Sequence, residues 1–448
     1  MTNGWRQNSA AKSLAALLII AVVVRLIGFA FPPNIYNDTA GYVNLANRLR
    51  TLRLAGYDGM HTPIYPLLLA MAGLNFRIVT FLQNLMGIAI AAMLFTMIYR
   101  RTNSAAVALI AGTIFCLDIV ELGFEQAILT ETLATFLLTM SALQLQRMLL
   151  KGDVGWRDYA ILGALAGLTG LTRPLYFYLA PLYFIFLVIA SPRASVQRIR
   201  LATFATVAGS MLLGWALVNW WNVGYFGIST QMGFGLSNHS GAFIELAPDQ
   251  YAAIRDPYLR ARSKQIAETG TYVNTIYRVW PEIRQETGYD DVRLLREVTR
   301  MSLQLFAAHP ILYAKGVSRS WLGFWHPAFS RGMPFLGGHF GGVDPWSPSI
   351  TSMGRLCTTI QWREMPLLVV LNYIFLLSAA GSILQLLMRK KPLDFDLLVI
   401  AIVLTASTIQ AMVEFGENGR FAVPTFPLVI YIVAVTFWMY LPTFSKGD

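Results

Sequence analysis

Long apolar stretches separated by short charged segments follow one another along most of this 448-residue chain. A helix of about 20 apolar residues is long enough to cross the hydrocarbon core of a bilayer. By that measure the pattern predicts ten membrane-spanning helices, at 11–31, 77–99, 104–123, 129–149, 158–172, 175–191, 201–223, 366–388, 395–414 and 423–441. The pair within 158–191 is the least regular, because Arg173-Pro174 interrupts one continuous apolar run.

Composition strengthens the prediction of a membrane protein. Charged residues make up 13% of the chain, about half the ~25% of soluble domains, and the mean hydropathy is +0.52. These values exclude an ordinary cytosolic enzyme, a disordered chain and a disulfide-stapled secreted domain. The two cysteines, Cys116 and Cys357, form no metal-binding or redox motif. The first apolar stretch is too long for the core of a cleavable signal peptide, so we interpret it as the first membrane helix.

Basic residues predict the orientation of these helices. Lysines and arginines collect in every second gap between spans, as the positive-inside bias requires of cytoplasmic segments. They are Arg6, Lys12, Arg100, Arg101, Arg147, Lys151, Arg157, Arg193, Arg198, Arg200, Arg389, Lys390, Lys391 and Lys446. Both termini are therefore expected in the cytoplasm, with the protein in the inner (plasma) membrane of a bacterium. Topology explains the net charge of +11, and no basic, aromatic-interleaved patch indicates nucleic-acid binding.

The predicted topology divides the chain into three parts. They are an N-terminal membrane domain at 1–223, which includes the outer loop 32–62, a periplasmic outer-face domain at 224–365, and C-terminal membrane helices at 366–448. The outer-face domain is expected to be mainly helical, because Asp290-Asp291 can cap a helix in which Leu295 and Val298 repeat at helical spacing. The fold class predicted is an all-α polytopic membrane protein.

Charged residues at the outer membrane edge are candidates for function, because they cost several kcal/mol there. Asp38 directly follows the first span and could cap a helix over 39–52, whose apolar face contains Tyr42, Leu45, Ala46 and Leu49. Glu131 opens the fourth span, where the helix dipole alone also favours a carboxylate. Each residue therefore has a structural explanation beside a functional one.

Three further segments carry outer-face candidates. Arg173 occupies the outer turn of a helical hairpin, where a guanidinium group suits phosphate but interfacial snorkelling explains it equally. Glu417 and Arg420 are three residues apart and could pair with each other or face a site. His61 precedes a short apolar segment, 63–74, that is too brief to span. No HExxH, CxxC, Walker or GxGxxG arrangement supports a metallohydrolase or a P-loop NTPase.

The outer-face candidates are more informative together than alone. Asp38, His61, Glu131, Arg173 and Arg420 come from five distant segments, and the topology places them on one side of the membrane at similar depth. A carboxylate base facing a basic pocket at the lipid–water boundary suits a lipid-phosphate substrate. Transporters instead hold their charges near the midplane, between repeated halves. The constellation favours an enzyme over a carrier.

Short motifs along nearly the whole chain resemble those of the GT-C fold membrane glycosyltransferases, in particular the protein O-mannosyltransferase / lipid A aminoarabinose transferase-like branch. In chain order they are Asp38-x-x-x-Tyr42-x-x-x-Ala46, Pro63-Ile64-Tyr65-Pro66-Leu67-Leu68-Leu69-Ala70, Thr130-Glu131, Gly167-Leu168-Thr169-Gly170-Leu171-Thr172-Arg173-Pro174, Asn219-x-x-Asn222-x-Gly224-x-Phe226-Gly227, His309-Pro310-x-x-Tyr313 and Gly416-Glu417-Asn418-Gly419-Arg420-Phe421. The resemblance implies an inverting transferase that moves a single sugar from a polyprenyl-phosphate donor to a glycan, lipid or protein acceptor of the cell envelope.

Site roles follow from the resemblance and from its departures. Asp38 is expected to act as catalytic base, with Glu131 as a second acidic residue. The family often has another acid beside the first, where this chain has Asn37 and Thr39, and the aminoarabinose branch has a lysine where this chain has His61-Thr62. We therefore expect Arg173, Arg420 and His61 to bind the donor phosphate, and Tyr42, Tyr65 and Glu417 to line the donor or acceptor pocket.

The sequence leaves a cofactor and two other function classes open. A divalent cation, Mg²⁺ or Mn²⁺, could assist, and membrane lipid is an expected partner. A ligase or polymerase of lipid-linked oligosaccharides would also use outer-face arginines, but it would not need a carboxylate directly after the first span. A flippase or transporter would need polar residues within spans, for which Arg25, Gln83, Asn84, Asp118 and Gln410 are the candidates.

Overall fold

A computed structural model of the chain describes residues 2–151, 154–190, 195–326, 348–388, 392–416 and 418–440, with the backbone alone at 2–7, 195–196 and 348–365. The described residues form helices and no strand, apart from one isolated bridge between Asn34 and Ala127. The α-helices are α1 (Thr2–Phe29), α2 (Asn37–Thr51), α3 (Ile64–Met71), α4 (Phe76–Thr102), α5 (Ala105–Leu117), α6 (Ile119–Glu125), α7 (Glu131–Leu150), α8 (Trp156–Thr172), α9 (Leu179–Ala190), α10 (Ser195–Val223), α11 (Met232–Ser240), α12 (Ala252–Thr269), α13 (Thr275–Thr287), α14 (Asp291–Ala308), α15 (Pro310–Phe324), α16 (Pro348–Leu387), α17 (Phe395–Val413), α18 (Asn418–Ala422) and α19 (Phe426–Tyr440). Short 3₁₀ turns follow α8 (Pro174–Tyr178), α11 (Ile244–Leu246 and Asp249–Tyr251) and α18 (Val423–Thr425).

Seven helical segments among the described residues are long and apolar enough to cross a membrane. They are Asn8–Phe29, Phe76–Thr102, Glu131–Leu150, Gln197–Val223, Pro366–Leu387, Phe395–Val413 and Asn418–Tyr440. The pair α5 and α6 makes an eighth candidate, because together the two helices pass the same test although they are bent by 59°. The prediction of an all-α polytopic membrane protein is confirmed.

The expected count of ten spans exceeds what helix length supports. The two predicted spans at 158–172 and 175–191 correspond to α8, which has 17 residues, and to an apolar helical segment of the same length over Pro174–Ala190. Proline disfavours helical geometry in the residue before it, and Arg173 is accordingly extended, with φ −141° and ψ 113°. The chain therefore breaks between the two helices at the predicted interruption.

A second break divides the predicted span at 104–123. Asp118 adopts an extended conformation between α5 and α6, and its carboxylate accepts a hydrogen bond of 2.9 Å from the backbone N–H of Val120. This capping bond satisfies one of the donors at the start of the new helix. The chain is thereby redirected at α6, toward the segment that leads to Glu131.

Close contact between α8 and α10 holds the N-terminal helices together. A Cβ added at Gly163 would lie 2.7 Å from the backbone carbonyl oxygen of Phe204, and one at Gly167 would lie 2.9 Å from Sδ of Met211. Small residues allow two membrane helices to approach in this way. Leu162, Ala166 and Phe204 belong to the apolar core that these helices share with α4, α5, α7, α17 and α19.

Helices α11 to α15 form a helical layer that packs against α17. As predicted, Asp290 caps α14, accepting a hydrogen bond of 2.7 Å from the backbone N–H of Arg293. Leu294, Leu295 and Val298 of that helix are buried. The layer is tied to α17 by α15, because Tyr313 donates to the carbonyl oxygen of Met412 at 2.8 Å.

Candidate active site

The segment after α1 contains α2, whose N-terminal cap does not involve Asp38. Thr39 accepts a hydrogen bond of 3.0 Å from the backbone N–H of Tyr36 and donates one of 3.1 Å to the carbonyl oxygen of Ile128. Tyr36 is the N-cap residue, so the prediction that Asp38 caps this helix is wrong. Asp38 lies in the first turn instead, with its side chain 37% exposed.

The predicted apolar face of α2 anchors this segment. Tyr42, Leu45 and Ala46 are buried, and the ring of Tyr42 lies 4.6 Å from the ring of His61 and 5.2 Å from that of Tyr65, measured between centroids. Gly41 is in close contact with the His61 imidazole, leaving no room for a side chain at residue 41. The helix is therefore fixed one turn beyond Asp38.

Glu131, fully buried at the start of α7, lies between two guanidinium groups. Arg420 donates through Nε to Glu131 Oε1, and Arg173 Nη1 lies 2.8 Å from the same oxygen. Arg420 also donates through Nη2 to Asp38 Oδ2 at 2.9 Å. The structure thus brings Asp38, Glu131, Arg173 and Arg420 into one cluster, in which Arg420 bridges the two carboxylates.

The break after α8 directs Arg173 inward. Its guanidinium group lies over the ring of Phe421, with Cζ 4.4 Å from the ring centroid, and the residue is buried. Cationic groups are attracted to the face of an aromatic ring. Arg173 therefore packs within the cluster and does not extend toward water as a snorkelling residue would.

The cluster contains two carboxylates and two guanidinium groups, so its formal charges cancel. Its members differ in access to water, because Glu131 is fully buried whereas Asp38 is 37% exposed and Arg420 is 18% exposed. Glu131 Oε2 is buried without a hydrogen-bond partner in the described part of the protein. Both guanidinium groups contact Glu131, and Asp38 is the more accessible of the two carboxylates.

The remaining predicted site residues surround the cluster or lie outside the description. Burial lowers the pKa of His61, so its ring is neutral at pH 7 and would act as a hydrogen-bonding group and not as a cation. Burial raises the pKa of Tyr42, which stays protonated. Tyr65 is fully buried behind Tyr42 and donates to Gln83 at 3.0 Å. Glu417 lies outside the described residues.

The donor set of the cluster does not fit a divalent cation. Hard cations need several oxygen ligands, whereas both carboxylates here already face arginine and no group of three His, Cys, Asp or Glu side chains converges among the described residues. An arrangement rich in guanidinium donors is suited to an anion. We therefore derive no chemical step through a metal ion.

The in-span polar residues considered for a transporter each have a structural contact. Arg25 pairs with Glu125 at 2.6 Å with both side chains buried, a partnership that sequence spacing did not indicate because 100 residues separate the two. The other four residues make hydrogen bonds as well. Gln83 donates to the carbonyl oxygens of Glu125 and Ala127, and Asn84 bonds to Thr80 and Gln126. Asp118 accepts from the backbone N–H of Val120, and Gln410 donates to Asn418. These contacts join neighbouring helices or cap a helix end.

Comparison with known proteins gives structural similarity only. No family model and no curated protein sequence matches the chain. Similar solved structures include the archaeal oligosaccharyltransferase AglB from Archaeoglobus fulgidus with an inhibitory peptide and a dolichol-phosphate (13% identity, TM-score 0.46, 98% of this chain and 52% of that chain). Also similar is the apo form of the oligosaccharyltransferase from the same organism (13% identity, TM-score 0.47, 97% of this chain and 51% of that chain). Its complex with Zn and sulfate is similar as well (12% identity, TM-score 0.45, 96% of this chain and 50% of that chain).

This chain spans about half the length of those structures. At these identities and scores the likeness is coarse, and the function proposed next rests on this chain's own residues.

Proposed function

We propose that the protein is an inverting glycosyltransferase that moves a single sugar from a polyprenyl-phosphate donor to a hydroxyl of a cell-envelope glycan, lipid or protein at the periplasmic face of the membrane. One observation carries the proposal: Arg420 bridges Asp38 and buried Glu131, and Arg173 contacts the same glutamate. An accessible carboxylate beside two fixed guanidinium groups provides both a base and a phosphate-binding pair.

The donor phosphate is assigned to Arg173 and Arg420. Guanidinium groups bind phosphate oxygens through paired, charge-assisted hydrogen bonds, and fixed donors of this kind stabilise the charge that grows on a leaving phosphate. Because Asp38 already occupies one nitrogen of Arg420, an arriving phosphate competes with Asp38 for that donor. Donor binding therefore releases the carboxylate toward the acceptor.

Asp38 is assigned the role of general base. Its carboxylate takes the proton of the acceptor hydroxyl while the oxygen attacks the anomeric carbon, and the bond from that carbon to the phosphate oxygen breaks. The electron pair of that bond leaves with the lipid phosphate, and a single displacement inverts the anomeric centre. A positioned general base contributes about 10²–10⁴-fold to such a step.

Membranes incubated with a radiolabelled polyprenyl-phosphate sugar test this function. Asp38→Asn should lower single-sugar transfer by about 10²–10⁴-fold. Asp58→Asn is the matched control, because that carboxylate belongs to the same loop and accepts its hydrogen bond from the backbone N–H of Met60. Transfer at the wild-type rate by Asp38→Asn would refute the assignment.

The same assay separates the alternative classes. Transfer of an intact oligosaccharide block would identify a ligase or polymerase, and movement of the lipid-linked sugar without a new bond would identify a flippase. Arg173→Gln addresses the donor role, since it should raise the KM for the donor more than the KM for the acceptor. Equal effects on both constants would contradict it.

A further inference from the structure

A cavity separate from the catalytic cluster lies between α6, α15, α16 and the start of α19. It is open at its mouth, and its empty space together with that opening amounts to about 470 Å³. Apolar walls dominate its lining, with Phe324 and Phe426 among them. The polar lining residues are Asp118, Glu121, His326, Asn372 and Thr425. We call this space the α6–α15 cavity.

Two polar atoms in the lining lack partners within the protein. Oε1 of Glu121 and Nε1 of Trp325 are buried and make no hydrogen bond to any described residue, and the two residues are only 3% and 5% exposed. Buried polar atoms in folded proteins are nearly always hydrogen-bonded. One of these atoms accepts a hydrogen bond and the other donates one, so a hydroxyl group can satisfy either atom.

The lining of the cavity does not suit a phosphate. Its described lining contains Asp118 and Glu121 and no arginine or lysine, in contrast to the catalytic cluster. A phosphate would find no guanidinium or ammonium partner there, whereas sugar hydroxyls donate to carboxyl oxygens and accept from an indole N–H. The aromatic and aliphatic walls suit the hydrocarbon part of the same ligand.

The cavity adjoins the catalytic cluster across α18. Gly419 and Ala422 of this five-residue helix line the cavity, while Arg420 between them bridges Asp38 and Glu131. We propose that the α6–α15 cavity binds the acceptor, and that the acceptor is a sugar-bearing amphiphile whose hydroxyls bond to Glu121 and Trp325. The word acceptor rests on the proposed transferase function, but the binding of a neutral glycolipid does not.

Photolabelling of the full-length protein in phosphatidylcholine nanodiscs tests the proposal. The probe is an octyl β-glucoside with a diazirine on its alkyl chain, and the crosslinks are mapped by mass spectrometry on segment 419–429. We expect excess octyl glucoside to suppress this labelling and octyl phosphate to leave it unchanged. Equal competition by octyl phosphate would overturn the assignment to a neutral sugar.

Variants then test whether the labelling depends on Oε1 of Glu121 and Nε1 of Trp325. Glu121→Leu and Trp325→Phe should each lower it by about fivefold or more, because each removes one hydrogen bond from the ligand. Trp321→Phe is the matched control, since that indole N–H already donates to Ser407 at 3.2 Å. If Glu121→Leu does not fold, Trp325→Phe still decides, and unchanged labelling in it would reduce the cavity to a nonspecific lipid groove.

The catalytic proposal and the cavity proposal can fail separately. Labelling is measured in Asp38→Asn as well as in the wild type, and it should be the same in both because it requires no transfer. Specific labelling combined with wild-type transfer by Asp38→Asn would reject the catalytic assignment and keep the cavity. Loss of transfer in Asp38→Asn without hydroxyl-specific labelling would keep the transferase and reject the acceptor site.

Discussion

Removal of the Asp38 carboxylate should strengthen the binding of lipid phosphate while it stops transfer. Arg420 Nη2 lies 2.9 Å from Asp38 Oδ2, so a phosphate that uses Arg420 must first displace this carboxylate. In Asp38→Asn the competing charge is gone, and Arg420 remains held through Nε by Glu131. The donor site therefore stays assembled and loses a competitor.

The gain can be worked from the geometry of the pair. Two unit charges about 4 Å apart attract by about 4 kcal/mol at an effective dielectric constant of about 20. Asp38 is partly exposed, and measured ion pairs in contact with water contribute about 1 kcal/mol or less. Release of Arg420 from this pair should then tighten the binding of a phosphate by about fivefold.

Titration calorimetry with farnesyl phosphate measures this change on the full-length protein in nanodiscs. We expect a Kd about fivefold lower for Asp38→Asn than for wild type. Asp58→Asn, the control in the same loop, should have the wild-type Kd. Weaker binding in Asp38→Asn would refute the reasoning, because it would mean that Asp38 helps to hold the phosphate and does not compete with it.

Three further perturbations test the surroundings of the cluster. Gly41→Ala should lower initial transfer rates by about tenfold, because a methyl group there displaces the His61 ring; an unchanged rate would contradict this. Glu131→Gln should lower the free energy of unfolding by about 3 kcal/mol, since it removes the carboxylate partner of buried Arg173 and one of the two carboxylate partners of Arg420; an unchanged thermal midpoint would argue against the pairing. Burial lowers the pKa of His239 from about 6.5 in the unfolded chain to about 4 in the folded protein, so the unfolded chain takes up a proton first as the pH falls. The free energy of unfolding of the wild type should therefore fall by about 3 kcal/mol from pH 7 to pH 4. The fall should be smaller in His239→Leu.

Hydropathy predicted the fold well because membrane spans depend on local composition. Most expected spans coincide with described helices, including α4, α7 and α17. The bend at Asp118 was not predicted, because apolar residues continue on both sides and only the capping bond to the Val120 N–H ends the helix. By helix length, seven or eight of the ten expected spans qualify, and α8 does not because it ends before Arg173 after 17 residues.

The sequence predicted which charged residues lie near one another in the candidate site, but it did not predict which of them form ion pairs. Topology alone placed Asp38, Glu131, Arg173 and Arg420 on one face, because each lies at the end of a predicted span. Their pairing depends on contacts between residues up to 382 positions apart, such as Arg420 with Asp38, which spacing within one segment cannot indicate. For the same reason the sequence did not indicate the ion pair of Arg25 with Glu125 or the buried, unpartnered polar atoms of Glu121 and Trp325.

Stability alone does not account for four charged side chains brought together at the membrane edge. A buried ion pair is often no more stabilising than apolar side chains of similar size. A site for lipid phosphate has two opposing requirements, because the arginines must attract the donor and must also release the phosphate product. Compensation of Arg173 and Arg420 by Glu131 and Asp38 moderates that attraction, and the more accessible Asp38 is the partner that can yield. The neutral charge of the cluster is therefore consistent with repeated turnover on an anionic lipid.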